Sequence, residues 1–343
     1  MFGMTIRSNA LWVVLALACT STLYGQQGAQ APAGSAPSTN TTSTQTPAQT
    51  QAPALQQRNE PPPPGHASTL TVQVNEVDLI FTVIDKKGNF IPGLQQQDFG
   101  LLDDGRPPAR VLDFEQQTNL PLRVGIMLDT SSSIRGRFQF EQEAATDFLL
   151  QVLHPADRAF VEGFDVDTDL TQGFTNRVDL LSTGIDKLRP GGGTAMFDAL
   201  YKTCRDQMLT LEPDVSVRKA IVLVSDGDDD YSRVYENEAI KMCQRAATIV
   251  YTISTDVNPT RDKGDDVLQR IADATGGQAF FPQQIDDVTL GFQAIEKELR
   301  SQYLLRYTPA DFKRDGSFRT IYLHALDPRY TVRVKKGYFA PSE

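Results

Sequence analysis

Two segments limit what this chain can fold into. Leu122-Arg-Val-Gly-Ile-Met-Leu128 and Ala220-Ile-Val-Leu-Val-Ser225 are nearly unbroken apolar runs, the pattern of strands buried on both faces of a parallel sheet. After the first run, residues 138–153 change to helical spacing, with Phe140, Ala144, Phe148 and Val152 on one face. Residues 159–164, 170–174, 249–253 and 279–281 read as further strands. Helical patterns cover 178–188, 195–211, 235–247, 265–274 and 288–300, the fourth closed by Gly276-Gly277. Strands alternating with helices predict an α/β, doubly wound, mostly parallel Rossmann-like sheet over residues 121–301.

The flanks have a different rhythm. Residues 68–120 and 302–343 hold short alternating β runs separated by turns at Asp85-Lys-Lys-Gly88, Asp104-Gly105, Asp315-Gly316 and Asp327-Pro328. We expect the two flanks to pack into one β-sandwich from which the α/β body emerges as an insertion. The alternative is two separate appendages, each small for a stable core.

Residues 1–25 read as an export signal, with Arg7 ahead of an apolar run from Leu11 to Ala18 and small residues after it. The run is too short to span a bilayer in the mature chain. Leu15-Ala-Leu-Ala-Cys19 also loosely resembles a lipobox, so a lipid anchor at Cys19 is the rival form. Export places the protein in the periplasm, on the cell surface or outside the cell. Residues 26–67 are Gln, Ala, Pro, Ser and Thr with almost no charge; such a segment buries too little to offset chain entropy and reads as a disordered spacer. The formal charge of -10 argues against nucleic acid, whose phosphates demand a basic surface. Cys204 and Cys243, both in helical patterns, read as free buried thiols, although export permits a disulfide between them.

Chemistry concentrates at strand ends, where ligands bind in such sheets. Asp129-Thr-Ser-Ser-Ser133 follows the first apolar run, Gly191-Gly-Gly-Thr194 opens a helix, and Ser225-Asp-Gly-Asp228 follows the second run. Hydroxyls with one or two carboxylates are hard oxygen ligands that suit a cation such as magnesium. Asp228 to Asp230 read as a solvated acidic rim, and Asp165, Asp167 and Asp169 as a polar turn. His66, His154 and His324 lack ligand spacing, so a zinc or histidine-based centre is not expected.

Residues 122–300 resemble the von Willebrand factor A domain. Its metal-ion-dependent adhesion site combines an Asp-x-Ser-x-Ser motif, a Thr from a second loop and an Asp from a third. Asp129, Ser131 and Ser133 match the first part, Thr194 the second and Asp226 the third. The flanks, with Phe81-Thr-Val-Ile-Asp85 and Tyr303-Leu-Leu-Arg-Tyr307, are similar to bacterial exported proteins related to that domain. The resemblance implies a divalent ion, Mg2+ first with Mn2+ or Ca2+ as alternatives, and a protein partner whose Asp or Glu completes the coordination. It implies a binding module and not an enzyme. A structural scaffold of an envelope assembly with a non-essential metal site is the alternative, and a metal-dependent hydrolase ranks third for want of an accompanying nucleophile or base.

Overall fold

The structure, a computed structural model, describes residues 75–117, 120–211, 217–257, 260–284 and 286–342. The export signal, Cys19, the spacer and His66 lie outside the described residues. Three strands come first: β1 (Val77–Ile84), β2 (Phe99–Asp103) and β3 (Arg110–Gln117). The body follows as β4 (Leu122–Asp129), α1 (Phe138–Val152), β5 (Arg158–Phe164), β6 (Thr168–Thr175), α2 (Val178–Lys187) and α3 (Met196–Thr203). It continues as β7 (Arg218–Ser225), α4 (Glu236–Arg245), β8 (Ile249–Ser254), α5 (Lys263–Thr275), β9 (Ala279–Phe280) and α6 (Asp287–Leu299). β10 (Gln302–Thr308), β11 (Phe318–Ala325), β12 (Thr331–Val334) and β13 (Gly337–Phe339) close the chain.

The body has one six-stranded sheet in the order β6-β5-β4-β7-β8-β9. All pairings are parallel except that of β6, which returns antiparallel along the edge beside β5. Alternation along β4 divides the core. Val124, Ile126 and Leu128 pack with α1, α2 and α6, whereas Met127 faces α3, α4 and α5. Gly125 leaves room for the Phe160 ring, which a side chain there would strike. Helices cover both faces, as the apolar runs require.

The flanking strands pair with one another across the inserted body. β1 lies between β12 and β10 in an antiparallel sheet completed by β3, and β2, β11 and β13 form a second sheet. Phe81 opposes Tyr303 on β10 and Val334 on β12. The two sheets share one core: Phe81 meets Phe99 edge-on with ring centroids 5.2 Å apart. The hydroxyls of Tyr307 and Tyr338 both donate to the buried Asp103 carboxylate. The expected α/β body with a sandwich built from flanking strands is the architecture observed.

Three local expectations need correction. The helix expected over 195–211 is regular only to Thr203 and continues as a π-helical turn, Cys204–Met208. Cys204 and Cys243 are buried, but they are not free thiols: they form a disulfide with Cα atoms 5.0 Å apart. The π turn abuts α4 and sets the two side chains face to face, which the helical pattern of either segment does not reveal. On α1 the buried stripe runs through Phe138, Glu141, Ala145, Phe148 and Val152. Phe140 is only half-buried and a carboxylate, Glu141, takes the core position.

The lower end of the body is tied together by Asp157, on the loop before β5. Its carboxylate accepts from Leu122 N at 2.7 Å and His154 N at 2.7 Å, and pairs with the Arg300 guanidinium just after α6. Burial by itself raises the Asp157 pKa, but these donors outweigh it and hold the group below the usual carboxylate value. A depressed carboxylate contributes stability above its unfolded pKa of about 4 and loses it as the pH falls through the lower folded value. Asp157→Ala strands a mostly buried guanidinium and should cost about 3 kcal/mol. Urea unfolding at pH 7 and at pH 3 checks this: the gap between parent and variant should narrow in acid. Reducing the disulfide, which spans 39 residues, should remove a further ~3 kcal/mol in the same assay.

Candidate metal centre

The carboxyl end of β4 delivers Asp129 into a fully buried position. Both of its oxygens are engaged: Oδ1 accepts from Ser131 N at 2.8 Å, and Oδ2 accepts from Ser225 Oγ at 2.7 Å. Ser225 is the last residue of β7 and also receives Gly227 N at 3.1 Å. One hydroxyl therefore joins the first loop to the third. From Asp129 the hydrogen bonds run outward toward solvent. Ser131 Oγ and Ser133 Oγ are 2.9 Å apart, and Ser133 Oγ donates to Asp226 Oδ2 at 2.9 Å. Ser131 is buried, Asp226 half-buried and Ser133 exposed, so the series opens at the surface.

The second loop is held by backbone. Ser132 N donates to Gly192 O at 3.2 Å, and Gly191 N to Thr130 O at 2.6 Å. The carbonyl of Thr194 in turn accepts from Asp230 N and Tyr231 N, at 3.0 and 3.1 Å. Hydrogen bonds thus link Asp129, Ser131, Ser133 and Asp226 side by side, while Thr194, buried, arrives on a loop bonded to both of theirs.

Two devices fix the third loop. Gly227 has φ +82, a conformation that disfavours any Cβ, and a Cβ there would also lie 2.3 Å from Gly264 O at the start of α5. Two glycines let the loop backbone rest directly on the helix. The other device is a reciprocal cap with α3. Asp229 accepts from Phe197 N at 2.9 Å and from Ser232, while Asp198 accepts from Arg233 N and Val234 N. Asp229 is thus a structural cap and leaves the acidic rim to its neighbours, a correction to the solvated run expected for 228–230. Asp165 and Asp167 make a turn closed by Asp167 N to Asp165 Oδ1, and Asp165 O holds Ala195 N.

Burial raises the Asp129 pKa to about 6; hydrogen bonds from Ser225 and Ser131 act against this and the nearby Asp226 charge adds to it. Asp228 is also raised, by burial first and then by the negative charges of Asp226, Asp262, Asp230 and Asp256. The donors are two carboxylates and several hydroxyls. Among the described residues no group of three or more His, Cys, Asp or Glu side chains could hold a metal ion. Any ion here therefore depends on hydroxyl oxygen, the hard-ligand chemistry of magnesium and its relatives.

No family model and no curated protein matches the chain. Among solved structures, it is similar to a von Willebrand factor type A protein from Catenulispora acidiphila, at 14% identity and TM-score 0.45, covering 72% of this chain and 75% of that one. It is also similar to proximal thread matrix protein 1 from the mussel byssus, a structure with a zinc-occupied metal-ion-dependent adhesion motif. There the identity is 17% and the TM-score 0.46, covering 58% of this chain and 50% of that one. A third similarity is to the von Willebrand domain of the pilus tip protein Mfa5 from Porphyromonas gingivalis, at 16% identity and TM-score 0.43, covering 52% and 94%. At such identities and TM-scores these likenesses carry no argument of their own. The strand order, the antiparallel edge strand β6 and the meeting of three strand-end loops decide the assignment. The α/β body has the von Willebrand A-type fold.

The three strand-end loops singled out in the sequence are joined by hydrogen bonds, but Ser225 was given no part beyond its place in the third loop, whereas it orients the buried acid. The only signal was its place, a hydroxyl at the end of an apolar strand directly before Asp226. Gly227→Ala should displace Asp226 by forcing a Cβ against the Gly264 backbone. We expect a loss of ~2 kcal/mol or more, read as a lower midpoint in thermal unfolding, whereas Gly173→Ala, at an open position on β6, should cost much less.

Proposed function

We propose that the chain is an exported, metal-dependent protein-binding module of adhesion type. Asp129, Ser131, Ser133, Thr194 and Asp226 hold a divalent ion, Mg2+ in the first instance, and a Glu or Asp of a protein partner completes its coordination. The observation that carries this reading is the run of hydroxyls from the buried Asp129 through Ser131 and Ser133 to Asp226 at the surface. The Ser131, Ser133 and Asp226 side-chain oxygens are already within hydrogen-bond distance of one another, so an ion would replace those bonds with little loop rearrangement. The repelling acids around Asp228 supply a second reason, because a cation beside Asp226 offsets them.

The ion supplies Lewis acidity toward a carboxylate oxygen. The protein's own task is to orient the donors and keep one side open. Ser225 and the Ser131 amide fix Asp129, Asp129 fixes the first loop, and the exposed Ser133 with the half-buried Asp226 lies where a partner approaches. No step needs a general base. Among the described residues no helix is long and apolar enough to cross a membrane. The export signal and the alternative anchor at Cys19 remain part of the proposal.

Pull-down of envelope proteins with the purified chain, in magnesium and in EDTA, tests it. Capture should be lost in EDTA and with Asp129→Ala, while thermal unfolding stays cooperative. It should also weaken in acid, where protons compete with the ion for the Asp129 carboxylate, whose pKa burial raises to about 6 in the absence of metal. Capture that ignores both EDTA and the substitution sinks the reading and favours a scaffold whose sandwich makes the contacts.

A further inference from the structure

Glu141 has no place in the site as read from its motif. It sits on the first turns of α1 in the helix's apolar stripe, about 1% exposed, with Phe138, Ala144 and Ala145 as buried neighbours along the helix. Both carboxylate oxygens are buried and neither has a hydrogen-bond partner. An unpaired carboxylate in a core is costly, and native structures compensate it or exclude it.

The surroundings show what could compensate it. The charged groups that reach Glu141 are Arg137, one turn earlier on the chain, and the carboxylates of Asp129 and Asp226. Asp129 ends β4 and Asp226 is on the loop after β7, and Glu141 lies on the buried face of α1, in the first turn of the helix that follows the Asp129 loop. Arg137 makes no ion pair with it among the described residues, and the two aspartates repel it. Burial above all, with a smaller push from the two aspartates and against Arg137, raises its pKa to about 8. A divalent cation between Asp129 and Asp226 reverses the sign of that field. Glu141 belongs to no group of three acids that could hold an ion among the described residues. Its reach is through a water of the ion's hydration shell, the usual place for an acid that tunes a metal without binding it.

We infer that Glu141 is a third acid of the metal centre, a positioning residue that accepts from metal-bound water beneath the site. The inference rests on the metal-binding reading above. It explains why a helix that is otherwise apolar on this face keeps a carboxylate three residues after Phe138.

Titration calorimetry with Mg2+ and Mn2+ on the whole chain separates the outcomes, using the parent, Asp129→Ala, Glu141→Gln and Glu141→Leu. We expect Glu141→Gln to weaken Mg2+ binding about tenfold or more, with a metal-free unfolding midpoint equal to or above the parent's. Glu141→Leu fills the apolar stripe; it should be more stable without metal and lose Mg2+ affinity at least as strongly. That opposite movement of stability and affinity is what a merely structural glutamate does not produce. If both Glu141 variants bind Mg2+ like the parent while Asp129→Ala does not, the inference is overturned and the metal-binding reading stands. If the parent itself binds neither ion, both are overturned.

Discussion

The bond between Ser225 Oγ and Asp129 Oδ2 is the contact on which the geometry of the site depends. Asp129 ends the central strand β4 and Ser225 ends its parallel neighbour β7, so the bond joins two loops that the sheet register has already brought level. A buried carboxylate without such donors shifts toward its protonated form and loses direction. With Ser225 on one oxygen and the Ser131 amide on the other, Asp129 becomes a fixed acceptor around which the serine loop turns. Ser131 and Ser133 follow from that turn, and Asp226 follows from Ser225 by one residue. Strand pairing sets the spacing, and one hydroxyl converts it into a polar site.

The same logic operates at the opposite end of the sheet, where the chain enters and leaves the body. The fully buried Arg218, at the start of β7, donates to the carbonyls of Leu120 and Leu299, the two crossing points between body and sandwich. Asp157 joins the start of β4 to Arg300, one residue beyond α6. Arg333 on β12 reaches into the body to pair with the buried Glu298 at 2.9 Å. β1 and β10 then zip together over five residue pairs, from Val77 with Tyr307 to Phe81 with Tyr303. An inserted domain whose two ends are held this closely cannot swing independently about a single linker. A load on the strand-end loops would pass through the sheet to two strands of the sandwich rather than to one.

What was legible in the sequence is what burial writes in runs. β4 and β7 stood out because strands covered on both faces have no polar face to interrupt them, and the three loops followed from where those strands stop. Features carried by one residue were not legible. Glu141 sits beside Phe140, and without the helix phase either residue could have faced the core. The disulfide gave no signal, because residues 204 and 243 meet only after a π turn is set against α4. β13, three residues long, is a strand only because β11 is there to pair with it. Asp229 read as one of a run of acids, yet its neighbours point outward while it caps α3. Composition cannot separate those fates, since they depend on backbone hydrogen bonds made across the fold.

The balance of charge bears on why such a centre would recruit a ligand from outside. A cation enclosed by carboxylates is neutralised where it sits and has little left to attract another. Here the oxygens nearest solvent include the exposed Ser133 hydroxyl, and Asp129 spends both carboxylate oxygens on internal donors. On the proposed reading, an ion in this setting would keep positive charge toward the exposed Ser133. The surrounding acids work the other way. Asp228, Asp230, Asp256 and Asp262 repel a free anion in solution, so a stray carboxylate is disfavoured unless basic groups come with it. On the proposed reading, a partner presenting one acid within a basic surface would satisfy both fields at once, a more selective demand than a metal site alone would make.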